Sequence, residues 1–241
     1  MKKICLVIMA MFFAIGLKAQ ETSLSDTVAF PNESQGTVPI STSFNYSYSQ
    51  SIYQSSEVSA GVLSHIDWYL NENNQNATRT INIEIYLAEV PQTSFATNAF
   101  VPTSQLTQVY SGPVTLSGTG WFGVDFQVPF VYTGANNLVV GVKASMGSYF
   151  FMYFGVGTEL PDYSTRSLYT GSDYQVVTPE NPVSAYSNTR VPSAIFTRLP
   201  EGASVCLPVQ DLVFSNTDQT STTASWSNPN GEGTTFTVSY R

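Results

Sequence analysis

The stretch Gly120-Trp121-Phe122-Gly123-Val124-Asp125-Phe126-Gln127-Val128-Pro129-Phe130-Val131-Tyr132 decides how this chain reads. Phe122, Val124, Phe126 and Val128 fall on alternate positions, with Gly123, Asp125 and Gln127 between them. A period of two marks a strand buried on one face. Thr133-Gly134-Ala135-Asn136-Asn137 follows, and it is turn chemistry, because Gly and Asn tolerate positive φ. Leu138-Val139-Val140-Gly141-Val142 is then apolar on both faces, as a central strand can be. Strand, turn and buried strand form the unit from which the rest is built.

Outward from this stretch the same pattern recurs. Ile81-Asn82-Ile83-Glu84-Ile85-Tyr86-Leu87 alternates cleanly, placing Ile81, Ile83, Ile85 and Leu87 inside and Asn82, Glu84 and Tyr86 outside. Residues 61–70 place Val62, Ile66, Trp68 and Leu70 in the core, with Leu63, His65, Asp67 and Tyr69 on the other face. Residues 37–40 read as an edge strand, where Pro39 is tolerated. Residues 149–154 are aromatic enough to be buried throughout. About ten strands with Gly/Asn turns, and no convincing helix, argue an all-β chain: a jelly-roll-like antiparallel β-sandwich over 37–200. Residues 20–36 are polar and read as a flexible N-terminal segment.

Composition bounds the setting. Charged residues are only 11% of the 241 and aromatics reach 13%, so the chain has apolar surface to bury and is not disordered. Residues 1–19 read as a secretory signal: Lys2 and Lys3 lead, and an apolar run too short to span a membrane comfortably follows as far as Leu17. After cleavage six basic and 17 acidic residues remain, a net charge of 6 − 17 = −11. That balance argues against a nucleic-acid partner and against anionic membrane. The expected location is secreted or cell surface, with no membrane insertion after signal cleavage. Cleavage also leaves Cys206 as a lone cysteine.

Residues 201–241 differ in character. Cys206-Leu207-Pro208 enters a new strand. Thr222-Thr223-Ala224-Ser225-Trp226 and Phe236-Thr237-Val238-Ser239-Tyr240 follow. This resembles the opening strands of a fibronectin type III domain, so the expectation is a linker and a partial domain.

With Tyr46-Ser47-Tyr48-Ser49-Gln50-Ser51-Ile52-Tyr53, Val109-Tyr110-Ser111-Gly112 and Pro129-Phe130-Val131-Tyr132-Thr133-Gly134, these features resemble a group of secreted surface proteins of Bacteroidetes-type bacteria. In that group a jelly-roll domain precedes fibronectin type III repeats. The resemblance implies an adhesin or an enzyme with accessory modules. It also implies O-glycosylation at Asp26-Thr27-Val28.

Catalytic signals are sparse. His65 is the sole histidine, and no Gly-x-Ser-x-Gly elbow, P-loop or His-Glu-x-x-His occurs. The carboxylate pairs Glu84/Glu89 and Asp67/Glu84 are conceivable for glycoside hydrolysis, but solvated strand-face charges explain them better. A structural Ca²⁺ would suit the acidic, Asn-rich loops at 71–76 and 159–173, whereas no other cofactor is called for. Tyr69, Tyr86, Trp121, Tyr163 and Tyr169 are aromatics on polar-looking faces or loops, positions suited to sugar contact. Ordinary outer-face strand residues are the alternative, since Tyr is a good strand former. The expected function is a non-catalytic adhesion or binding module whose partner is a glycan or an extracellular protein. The alternative is a carbohydrate-binding accessory module of a longer secreted enzyme.

Overall fold

A computed structural model describes residues 24–28, 34–73, 78–96, 99–148, 150–203, 210–215 and 223–227. The strands are β1 (Ser25–Val28), β2 (Ser34–Gly36), β3 (Tyr46–Tyr53), β4 (Gly61–Asn73), β5 (Arg79–Val90), β6 (Thr107–Leu116), β7 (Gly120–Tyr132) and β8 (Asn137–Ser145). Then come β9 (Met152–Glu159), β10 (Ser167–Ser172), β11 (Tyr186–Asn188), β12 (Arg190–Pro192), β13 (Ala194–Arg198), β14 (Gln210–Ser215) and β15 (Thr223–Ser227). Among the described residues there is no α-helix, only a single 3₁₀ turn at Thr103–Gln105.

The pairing makes the architecture a jelly roll. Four antiparallel pairs are nested like the legs of one long hairpin: β5 with β6, β4 with β7, β3 with β8, and β2 with β9. Alternate pairs fall in alternate sheets. In sheet I, β9 also pairs with β4, giving β2-β9-β4-β7. In sheet II, β8 also pairs with β5, giving β3-β8-β5-β6. This is the order that results when a long hairpin rolls into two packed layers. The additions lie at the margins: β12, β13 and β1 extend sheet I, and β10 and β11 extend sheet II.

The main core lies between the sheets. Ile81, Ile83, Ile85 and Leu87 of β5 meet Ile66, Trp68 and Leu70 of β4 and Val124 and Phe126 of β7. The alternation of β5 and β7 thus faces the core as expected. At the start of β4 it does not: Leu63 is fully buried and Val62 only half-buried. Thr197 and Arg198 of β13 oppose His65 and Leu63, so Ser64 is an extra residue on β4. A bulge of this kind turns the following side chains over. Residues 149–154 also depart from expectation. Phe150, Met152 and Phe154 are buried while Phe151 is 43% exposed, which is one-sided alternation at the edge of β9. Residues 38–40 are buried and Thr37 is half-buried, but all four lie outside any strand.

The segment 20–36, expected to be flexible, supplies two strands where it is described. β1 pairs with β13, Asp26 accepts hydrogen bonds from the Ser59 amide and hydroxyl, and Val28 is buried. Its polar side chains suggested looseness, but here they satisfy an edge strand. Residues 1–19 and Cys206 lie outside the described residues. In the tail, β14 and β15 form an antiparallel pair, and the expected third strand at 236–240 also lies outside them.

Sheet II has a second, smaller core on its outer side. Tyr48, Ile52, Val139 and Leu168 pack beneath Phe95, Phe100, Val101 and Val177, which belong to the segments before β6 and after β10. Among the described residues nothing covers β4 and β7 of sheet I in this way, and Asp125 and Trp121 are exposed there. That uncovered face holds the candidate site.

Candidate functional site

The bulge at Ser64 fixes what β4 shows to solvent. Beyond it His65, Asp67 and Tyr69 point outward, while Ile66, Trp68 and Leu70 are buried. On the neighbouring β7 the outward set is Trp121, Gly123, Asp125 and Gln127. Register places Tyr69 opposite Trp121, Asp67 opposite Gly123 and His65 opposite Asp125. Cross-strand partners on one face lie close enough to touch.

They do touch. The Tyr69 and Trp121 rings meet edge to face, centroids 5.3 Å apart at 75°. Trp121 is 39% exposed, so the indole held beside Tyr69 keeps part of its surface open to solvent. Further along, His65 Nδ1 lies 2.6 Å from Asp125 Oδ1, and His65 Nε2 lies 3.1 Å from Asp67 Oδ2. Along the strands the Asp67–Gly123 row is two residues, about 7 Å, from the Tyr69–Trp121 row, and the His65–Asp125 row is four residues, about 13 Å. Gly123 makes the His65–Asp67 contact possible. A Cβ there would stand 2.4 Å from both Asp67 Oδ1 and His65 Nε2, so the two side chains meet over its bare backbone.

Burial is the largest influence on His65 and pulls its pKa down. The hydrogen bonds and charges of Asp125 and Asp67 outweigh it, and the pKa stands above its ordinary value. Both ring nitrogens face carboxylates. Neither is left to activate a nucleophile, which a Ser–His type mechanism requires.

Beside this face, a cleft of about 340 Å³ opens between the free edges of the two sheets. Tyr110, Pro113 and Thr115 of β6 line one wall, and Phe122, Gly123 and Asp125 of β7 the other. The Gln127 side chain bridges the gap further along, accepting from the Ser111 amide (3.1 Å) and donating to the Ser111 carbonyl (3.0 Å).

Of the five aromatics singled out by sequence, only Tyr69 and Trp121 come together. Tyr86 lies on the outer face of sheet II, where its hydroxyl donates to Glu84, whose other oxygen accepts from Lys143 Nζ at 2.9 Å. Burial first, then the Glu84 carboxylate, pushes the Tyr86 pKa up. Tyr163 is 68% exposed in the loop after β9, with φ at 54°. Tyr169 is on the side of β10 turned toward sheet I, as is its neighbour Ser167, which bonds the Arg190 carbonyl. It stacks on Tyr186 at 5.2 Å and 24°. Tyr186 escaped the sequence reading because it sits in a loop-rich stretch with no periodicity.

Neither carboxylate pair forms. Asp67 is on sheet I and Glu84 on sheet II, and Glu89 is turned to the opposite side of β5 from Glu84, accepting from the Thr133 amide and hydroxyl. In the 159–173 loop the acids have separate partners: Glu159 accepts from Thr189, Asp162 from the Ser164 amide, and Asp173 from the Asn45 amide. Of the 71–76 loop, residues 71–73 continue β4 and residues 74–76 lie outside the described residues. Among the described residues no group of three His, Cys, Asp or Glu side chains is arranged to hold a metal ion. Among them, too, no helix is long and apolar enough to cross a membrane.

No protein-family model and no curated protein sequence matches the chain.

Proposed function

We propose that the chain is a non-catalytic adhesion module of a secreted or cell-surface protein, and that it holds its partner on the outer face of β4 and β7. One observation carries this reading. An indole lies 39% exposed on a sheet face, in contact with Tyr69, with Asp67 one row along the strands and His65 and Asp125 beyond it. An exposed aromatic bordered by polar groups is the kind of anchor that dominates binding energy at interfaces. The leader-like residues 1–19 and the resemblance to secreted surface proteins support the location. The engagement of both His65 nitrogens supports a binding role over catalysis.

A second reading, a carbohydrate-binding accessory module, draws on the same aromatic pair, because a sugar ring can stack on an exposed indole. Arrays of immobilised extracellular proteins and of glycans, probed with the wild-type chain and Trp121→Ala, separate the two. We expect Trp121-dependent signal on proteins. Trp121-dependent signal on glycans alone would transfer the function to the second reading. Binding that ignores Trp121 on both arrays would remove this face from either.

A further inference from the structure

The Asp67–His65–Asp125 row constrains its own charge state. Carboxylates only accept hydrogen bonds, and an imidazole donates from both nitrogens only when protonated. The two contacts at 2.6 and 3.1 Å therefore describe an imidazolium between two carboxylates. When His65 is neutral, one of those contacts loses its proton and one carboxylate loses its partner.

No other cation takes its place. Among the described residues every lysine and arginine is engaged elsewhere. Lys143 pairs with Glu84, Arg166 with Glu57, Arg190 with Glu159 and Arg198 with Asp26, and Arg79 lies over the Phe150 ring. The elements around His65 offer no further charge. β4 presents Asp67 and β7 presents Asp125. From β13, Thr197 stands opposite His65 and Ile195 opposite Asp67, both neutral, and behind them β1 contributes Ser25 and Thr27. The nearest other charges on β13 and β1 are those of the Arg198–Asp26 pair.

An exposed indole one row from a carboxylate has the chemistry of a guanidinium receptor. The ring face attracts the cation, the plane of the guanidinium stacks on it, and its fork of donors fits carboxylate oxygens. We propose that this face binds an arginine side chain of an extracellular protein partner: the guanidinium stacks on Trp121 and is held by Asp67, one row away, and His65 is the internal cation it displaces from that carboxylate. The proposal rests on the reading of this face as the docking surface. The net charge of −11 after residue 19 adds long-range attraction for a basic partner. Because ligand and imidazolium compete for Asp67, binding strengthens as His65 loses its proton.

The test uses the secreted chain and two synthetic peptides, one rich in Gly and Arg, the other with every Arg replaced by citrulline, which keeps the shape and removes the charge. Calorimetry at pH 5.5 and 8 is run on the wild type, Trp121→Ala, Asp67→Asn and His65→Gln, each checked for fold by circular dichroism. We expect the Arg peptide to bind about tenfold tighter than the citrulline peptide, with Trp121→Ala and Asp67→Asn each removing most of that margin. Wild-type affinity should rise from pH 5.5 to 8, and His65→Gln should bind equally at both. Equal affinity for the two peptides overturns the proposal. So does Arg-peptide binding that survives both Trp121→Ala and Asp67→Asn, which would be general attraction to an acidic protein. If neither peptide binds while Trp121-dependent signal persists on the arrays, the arginine inference fails and the docking face stands. If Trp121 matters nowhere, both fail.

Discussion

The two outer faces of this sandwich have been treated differently, and the contrast separates stability from function. Over β3 and β8, the outer face of sheet II is roofed by Phe95, Phe100, Val101 and Val177. Both strands are consequently buried on nearly every residue. Even the polar Gln50 is fully buried there. Its amide nitrogen donates to the Val101 carbonyl (2.7 Å) and the Tyr48 hydroxyl (2.8 Å), and its oxygen accepts from the Val101 amide (2.7 Å). Over β4 and β7, the outer face of sheet I is open and carries Trp121, Tyr69 and the Asp–His–Asp row. Groups in the first face are committed to one another. Those in the second retain ring faces, lone pairs and a titrating proton that a partner can use.

The contrast predicts that substitutions on the roofed face cost the most stability. Phe100 packs edge to face on Tyr48 at 5.3 Å and belongs to the second core. Phe100→Ala should destabilise the chain by about 3–5 kcal/mol, the usual cost of truncating a buried aromatic. Urea denaturation measures this, and a loss below about 1 kcal/mol would mean that the roof contributes little. Gln50→Leu keeps the volume but strips the Val101 amide and carbonyl of their partners. A loss of about 1–3 kcal/mol is expected by the same assay.

The inner faces of this fold were more legible in the sequence than the outer ones. Period-two alternation placed Ile81, Ile83, Ile85 and Leu87, and likewise Val124 and Phe126, because a strand half-buried in a sandwich must repeat every two residues. It misplaced Val62 and Leu63 because the extra residue, Ser64, is defined against β13, more than a hundred positions away. The roof could not be read at all. Phe95, Phe100, Val101 and Val177 lie in irregular segments with no period, and their common destination is a tertiary fact. Composition alone suggested looseness for 20–36, whereas β1 is fixed by its pairing to β13. The site was half legible. Outward Tyr69 and Trp121 followed from alternation, but the His65–Asp125 contact spans 60 residues and depends on the register of β4 against β7. Gly123 looked like an ordinary polar-face gap, and its function as the floor beneath two side chains emerges only when those side chains are in place.

On the open face the expected stability effects are smaller and the functional ones larger. Gly123→Ala sets a Cβ against the tips of Asp67 and His65. Both side chains are flexible at their ends, so they should yield rather than unfold the strand, at a cost of about 1 kcal/mol. Their contact should nonetheless be lost, and the pH response of His65 should shrink with it. An NMR titration of the His65 ring in Gly123→Ala reads this directly. An unchanged titration midpoint would show that Asp67 adds nothing to what Asp125 supplies.

The smallest expected effect also tests the contrast most sharply. Because the His65 pKa is raised in the folded chain, folding binds a proton more tightly there than the unfolded chain does. The stabilisation it gives is therefore complete below the ordinary histidine value of about 6.5 and disappears as pH rises through the higher folded value. On an exposed face the contribution should stay below about 1 kcal/mol, the scale of surface ion pairs. Urea midpoints of the wild type should fall slightly between pH 6 and 8, while those of His65→Gln should show no such step. Peptide affinity should move the other way over the same interval, since on the proposed reading the proton that tightens the fold is the one that occupies Asp67. If stability and affinity instead fell together with rising pH, the carboxylates would be holding His65 for the sake of the strand pair alone, and the open face would be no different in kind from the roofed one.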